Sequence, residues 1–221
     1  MINDAAYVEA KRVMDKFDKM LSPDKKWSHG KPPDAGDEND DMVYLAVAKA
    51  LSAWERFEGS LSDFYLFLTS RSFADDDAKR DFGSLKNPTE KFKVLDGAFE
   101  AFAKHHQLEE VDAKRFNRLL RHFKKAAFMR NDIAHGVVTG ATAQDVHRGH
   151  FLVPAPHDSE KNAPRPPDWK YDDEKPFDGW GWKFRFNAAA IDQYAAGFND
   201  LRAATLDYQY ALEVKLHPKQ A

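Results

Sequence analysis

Residues 43–68 read VYLAVAKALSAWERFEGSLSDFYLFL. Within this stretch Val43, Val47, Ala50, Trp54, Phe57, Leu61, Phe64 and Leu68 follow one another in steps of four and three. At 3.6 residues per turn that spacing keeps a single apolar stripe on one side of a helix about seven turns long. Asn39 or Asp40 suits its N-cap. Gly59 is its weak point, at a cost of only about 1 kcal/mol. A stripe of that length has to be covered by other helices.

Those helices are legible on both sides. Asn3 to Leu21 reads as an amphipathic helix ended by Ser22-Pro23, and Asp24 to Glu38 reads as a linker or exposed loop. Arg71 to Lys86 is polar and contains Asp75-Asp76-Asp77; it reads as a solvated connection with room for a short helix. Asn87-Pro88-Thr89-Glu90 is a helix start, with Asn as cap and Pro in the first turn. Phe92, Leu95, Phe99 and Phe102 then form a second stripe. Leu108 to His135 reads as a third helix with Phe116, Leu120, Phe123, Ala127, Arg130 and Ala134 on one side, stopped by Gly136.

The pattern then changes. Segments 136–138, 149–153 and 182–186 have strand character, and 154–180 reads as a mobile loop rich in Pro, Asp and Lys. Asn187 caps a last helix striped by Ile191, Tyr194, Phe198, Leu201, Thr205, Tyr208 and Leu212. The expected fold is mainly all-α, an up-and-down helical bundle with a small β-strand and loop insert, about 137–186, between its last two helices. Residues 1–38 form an N-terminal helix and linker, and 39–221 the bundle.

The chain has 221 residues, a net charge of −3, no cysteine, and 43% hydrophobic and 31% charged residues. That suits a folded domain with a sizeable core. Without cysteine, disulfides, thiolate metal sites and cysteine nucleophiles are excluded. The opening residues carry Asp4 and Glu9 and no apolar run, and no stretch is apolar enough to span a bilayer. A cytoplasmic protein with no membrane contact is expected. Binding to nucleic acid would need a local basic patch, since the whole molecule is slightly acidic.

One helix offers such a patch. From Ala113 to Arg130 there is no Asp or Glu, while Lys114, Arg115, Arg118, Arg121, Lys124, Lys125 and Arg130 are cationic. Phosphate backbones are held by strips of this kind, although a charge run is also an ordinary solvated face. Phe116 and Phe123, interleaved here, read as core. Arg130 is the one charged member of the apolar stripe, and a guanidinium there needs a partner. Glu55 and Glu58 are internal candidates; a ligand anion or a second chain is the other kind. Asn131 and His135, four residues apart, share a side of the helix. Arg130 and His135 are separated by roughly 140° around the axis. Histidine exchanges protons near neutral pH, which suits general acid–base work.

Arg130-Asn131-Asp132-Ile133-Ala134-His135 resembles the R-x4-6-H motif of the HEPN superfamily. The preceding long helix with Trp54-Glu55-Arg56-Phe57-Glu58 and the closing amphipathic helix extend the resemblance over roughly residues 40–215. It implies a helical bundle that dimerises, with the motif helices meeting in a shared cleft, and in many members a metal-independent endoribonuclease. Arg130 would then hold the scissile phosphate and His135 would serve as general acid or base for attack by the ribose 2′-hydroxyl. Asn131 would orient either His135 or a phosphate oxygen, and the product would be a cyclic phosphate. Lys114, Arg118, Arg121, Lys124 and Lys125 would contact RNA. No cofactor and no metal are implied. The partners implied are RNA, a second copy in a homodimer, and an antitoxin or other regulatory protein, as for a toxin or defence effector. In HEPN toxins paired with a nucleotidyltransferase a tyrosine lies two residues after the histidine. Val137 stands there in this chain, which argues against that form of regulation.

Two plainer readings stand beside this one. The motif also suits a non-catalytic dimerisation or RNA- or protein-binding module. Alternatively, Arg130 is paired internally and His135 is a helix-end residue. His147, His150 and His157 fall around a turn without a clear carboxylate, which is a poor metal set. His105 and His106 read as solvated helix-end residues, and Asp172-Asp173-Glu174 as a solubilising loop. There is no Gly-rich phosphate loop and no Gly-x-Ser-x-Gly elbow.

Overall fold

The computed structural model describes residues 4–21, 27–69, 76–143, 146–163 and 177–216. The chain is a mainly helical bundle with a small two-stranded antiparallel sheet. Helix α1 spans Asp4–Met20, α2 Asp40–Leu68, α3 Asp76–Ser84, α4 Pro88–His106, α5 Glu110–His135 and α6 Ala188–Leu216. Strands β1, Gly136–Ala143, and β2, Val146–Pro154, lie between α5 and α6.

Three helices begin on asparagine. The side-chain oxygens of Asn39, Asn87 and Asn187 accept the N–H groups of Met42 at 3.1 Å, Glu90 at 2.8 Å and Ala190 at 3.0 Å. Each satisfies a donor that the helix itself leaves unpaired. Helix α4 ends on Gln107, whose left-handed φ of 52° turns its N–H back onto Ala103 O.

The chain divides into two compact units, and α2, α5 and α6 each contribute to both. The first unit comprises Met1–Trp27, Trp54–Ala127 and Gly197–Ala221. Its core is aromatic. Phe99 stacks on Phe116 at 3.9 Å between centroids, Phe57 meets Phe123 edge-on at 5.5 Å, and Trp54 meets Phe198 edge-on at 5.3 Å. The expected α2 stripe is this core: Trp54, Phe57, Leu61, Phe64 and Leu68 are all buried. Segment 71–86, expected as a solvated connection, holds α3 over its second half. Ala78 and Phe82 of α3 are buried, and Phe82 stacks on Tyr65 at 5.2 Å. Two apolar residues one turn apart suffice to hold a short polar helix down.

The second unit comprises Ser28–Ala53 and Phe128–Ala196. Strands β1 and β2 pair from Gly136↔Pro154 to Ala143↔Val146, with a bulge between Ala141 and Thr142. Beneath them Ala141, Phe151, Val153 and Phe177 form a small core, with Trp180 and Trp182 packed against it. Segment 182–186, expected as a third strand, makes only isolated bridges, Trp182 with Asn162 and Phe186 with Leu152. Asp75 and residues 164–176 of the expected loop 154–180, with Asp172-Asp173-Glu174, lie outside the described residues.

The expected linker is partly bound. Its residues 28–38 run against β2 and the approach to α6. Asp37 exchanges backbone hydrogen bonds with His150 at 3.0 and 2.8 Å, and Gly36 N–H donates to Arg148 O at 2.9 Å. The Asp37 carboxylate accepts Ala188 N–H at the start of α6 at 2.7 Å. Arg185 donates twice to Pro33 O, at 3.0 and 2.7 Å, while its guanidinium lies 3.7 Å over the Phe177 ring. Polar, Pro-rich composition marks an absence of regular structure and says nothing about whether the backbone groups find partners.

Two glycines separate local propensity from close approach. Gly149 has φ +98°, and a Cβ there would stand 2.6 Å from the backbone of Gly36. Gly59 lies inside α2 with nothing within 4 Å of its built Cβ. Gly149→Ala is expected to lower stability by more than about 1 kcal/mol, and Gly59→Ala to raise it by about 0.5–1 kcal/mol. Urea unfolding of the two variants beside the parent chain checks both signs.

Candidate functional site

Helix α5 runs unbroken to His135, and its own period decides which motif residues share a side. Asn131 and His135 are exposed, Arg130 and Ala134 are half-buried, and Asp132 and Ile133 are buried. The expected pairing of Asn131 with His135 on one side therefore holds. Arg130 stands at the border of that side rather than inside the apolar stripe. The buried apolar positions are Phe116, Leu119, Phe123, Ala126, Ala127, Met129 and Ile133, while Leu120 and Ala134 of the expected stripe are only half-buried.

Gly136 does not act as a left-handed helix stop. Among the described residues positive φ occurs at Gly30, Gln107, Gly149 and Gly181, and α5 passes directly into β1. The reason for glycine is space: a Cβ at 136 would come within 2.8 Å of Leu152 Cγ and 3.1 Å of Asp132 O.

The residue that sequence reasoning passed over is Asp132. It is 7% exposed, yet its two carboxylate oxygens are both engaged. Oδ2 lies 2.8 Å from His29 Nε2, and Oδ1 lies 2.9 Å from Lys161 Nζ. Lys161 also reaches Asp158 at 3.3 Å. The His29 ring sits against Phe184 and Phe186, with centroids 5.6 and 5.7 Å away. Tyr194, from the first turns of α6, donates its hydroxyl to Ser28 O at 2.8 Å. Burial pushes the Asp132 carboxyl up, but the hydrogen bonds and charges of His29 and Lys161 outweigh it and hold the group below the usual aspartate value. Burial first, and the Asp132 charge second, push the Tyr194 hydroxyl up to about 12. Asp132 thus fastens the last turns of α5 to segment 28–38 and to the chain after β2. One signal was available: Asp132 is the first carboxylate after Asp112. Its partners come from segments whose composition reads as loop.

The cations of α5 divide into two groups. Lys114 pairs with Glu110 at 2.8 Å, one turn away on the exposed surface. Arg115 and Arg118 both reach Asp18 of α1, at 2.9 and 2.8 Å, so these two tie helices together. Arg121 and Lys124 are exposed, and Lys125 is half-buried. Glu58, one of the carboxylates considered for Arg130, accepts Lys91 Nζ at 2.8 Å. The His147 and His150 rings stand 5.1 Å apart. Among the described residues no group of three His, Asp or Glu side chains is placed to hold a metal ion, and no helix is long and apolar enough to cross a membrane.

No protein-family model matches this chain, and neither a curated protein nor a solved structure matches it.

The Asp132 pairings set a pH dependence. A carboxylate held below its unfolded value of about 3.9 contributes stability that is full above that value and is lost as pH falls through the folded value. Removing one partner of a buried ion pair costs about 3–5 kcal/mol. Here Lys161 keeps Asp158 and both partners of Asp132 are partly exposed, so Asp132→Asn is expected to cost about 2 kcal/mol at pH 7. The difference in Tm between parent and variant should shrink as pH is lowered from 5 to below 4. A difference that stays constant over that range would remove the assigned ion pairs.

Proposed function

We propose that this chain is an endoribonuclease that works without a metal ion at the end of α5. One observation carries the reading: Asn131 and His135 share the exposed side of the last turns, with half-buried Arg130 at its edge. On that side of the helix, from Lys114 through Arg121 and Lys124 to His135, there is no carboxylate. An acid–base group, a fixed cation and an amide at one helix end are sufficient for cleavage by internal transesterification.

In this reading the ribose 2′-hydroxyl attacks the adjacent phosphorus and the bond to the 5′-oxygen breaks. The products are a 2′,3′-cyclic phosphate and a free 5′-hydroxyl, so atoms and charge balance without an added reagent. His135 takes the 2′-proton or delivers one to the leaving oxygen. Arg130 meets the charge that grows on the phosphoryl oxygens, and Asn131 orients the imidazole or a phosphate oxygen. The proposed working unit is a homodimer with two α5 ends lining one cleft. Exposed Val137 occupies the place of the modified tyrosine of some HEPN toxins, so a partner would have to act by binding.

The test is cleavage of mixed RNA by the purified protein in EDTA, with circular dichroism and sedimentation on the same samples. The parent chain is expected to cleave, and His135→Ala and Arg130→Ala each to lose about a hundredfold or more. A folded dimer that leaves RNA intact would turn the assignment to the non-catalytic binding module. Cleavage that survives His135→Ala would place the chemistry elsewhere.

A further inference from the structure

One side chain near the motif is exposed without a structural reason. Phe128 is 63% exposed, the most exposed phenylalanine among the described residues. Water-facing positions of α5 are usually taken by residues that carry charge or hydrogen-bonding groups, and a phenyl ring has neither. Its neighbours on the same side of this one helix are set by steps of three and four: Arg121, Lys124, Phe128, Asn131 and His135, all exposed. Phe128 therefore stands between two cations on one flank and the motif's exposed pair on the other. At 1.5 Å per residue it is about 10 Å along the axis from His135.

We infer that Phe128 is a stacking platform for an unpaired base, and that the ligand of this face is single-stranded RNA. The inference rests on the ribonuclease reading for the identity of the polymer and goes beyond it in naming the strand form and the residue that selects it. Three features choose this occupant. A second copy of the same face would bring further cations and no carboxylate to Arg121 and Lys124, whereas a polyphosphate complements them. An aromatic ring beside cations is the pairing that single strands use, because bases stack while phosphates are neutralised, and stacking is indifferent to base identity. A duplex keeps its bases inside the helix, so it gains the charge contacts and forgoes the ring.

The experiment uses the full chain and a 2′-O-methyl RNA strand, which lacks the nucleophile and stays whole whether or not the protein is a nuclease. Dissociation constants are read by fluorescence anisotropy for the strand and for its duplex, with the parent chain, Phe128→Ala and Phe128→Trp. The parent is expected to prefer the single strand. Phe128→Ala should weaken the strand roughly tenfold and leave the duplex unchanged, and Phe128→Trp should restore the strand. Because Phe128 faces solvent, circular dichroism should be the same for all three. Strand affinity unaffected by Phe128→Ala overturns the inference, and so does duplex binding equal to strand binding. A variant that instead dissociates a dimer without changing strand affinity makes the face a contact between copies, which also overturns it. Phe128-dependent strand binding by a protein that cuts no RNA supports the inference while ending the nuclease reading. Cleavage with no Phe128 effect does the reverse.

Discussion

A buried carboxylate has to be met by hydrogen-bond donors, and Asp132 is met by two side chains, His29 and Lys161, that come from separate segments of the chain. That requirement organises the unit around the end of α5. His29 arrives on the segment before α2, and Lys161 on the segment after β2. Apolar burial would tolerate either segment a little to one side, because it has no direction. A carboxylate with one oxygen for each partner does not. The first unit is specified differently, through aromatic rings that interlock at 3.9 to 5.8 Å around Trp54, Phe64 and Phe123. Packing sets that part of the bundle, and charge pairing sets the part that carries the motif.

Helix α5 separates its charges by direction. The acid-free stretch between Asp112 and Asp132 is closed at each end by a buried aspartate matched to a lysine, Lys215 at 2.7 Å and Lys161 at 2.9 Å. Both carboxylates point their charge inward and spend it there. The outward side keeps Arg121 and Lys124 with nothing acidic interleaved. A protein with net charge −3 can in this way present a local positive field on one helix. Arg115 and Arg118 show the limit of counting charges in a sequence: both are committed to Asp18, so the strip is shorter than its composition.

Much of the fold was legible because it depends on local spacing. The α2 stripe and the asparagine starts of α2, α4 and α6 are recoverable from residues within a few positions of one another. The α5 stripe was legible only to within one residue. Leu119 and Leu120 are adjacent and equally apolar, yet Leu119 is buried and Leu120 is half-buried. That rotation moves Arg130 from the core to its border. The Asp132 assembly was not legible, since His29 lies 103 residues before it and Lys161 beyond the whole β1–β2 hairpin. Nor does composition distinguish the bound segment 28–38 from a free linker; the difference lies in which of its groups are met by Arg185, His150 and Ala188.

Segment 28–38 is anchored in succession by His29, Pro33, Gly36 and Asp37, each to a different fixed point. Most surface connections accept extra residues at small entropic cost. This one works as a ruler: four anchors fall within nine residues, with at most three residues between one and the next, so an added or missing residue would put every later anchor out of step. Its sequence is free to change at Lys31, Pro32 or Asp34, which face solvent or sit between anchors. Its length is not. Relatives of this chain would then be recognised by a constant interval between the histidine and the aspartate here, even where the residues between them share nothing.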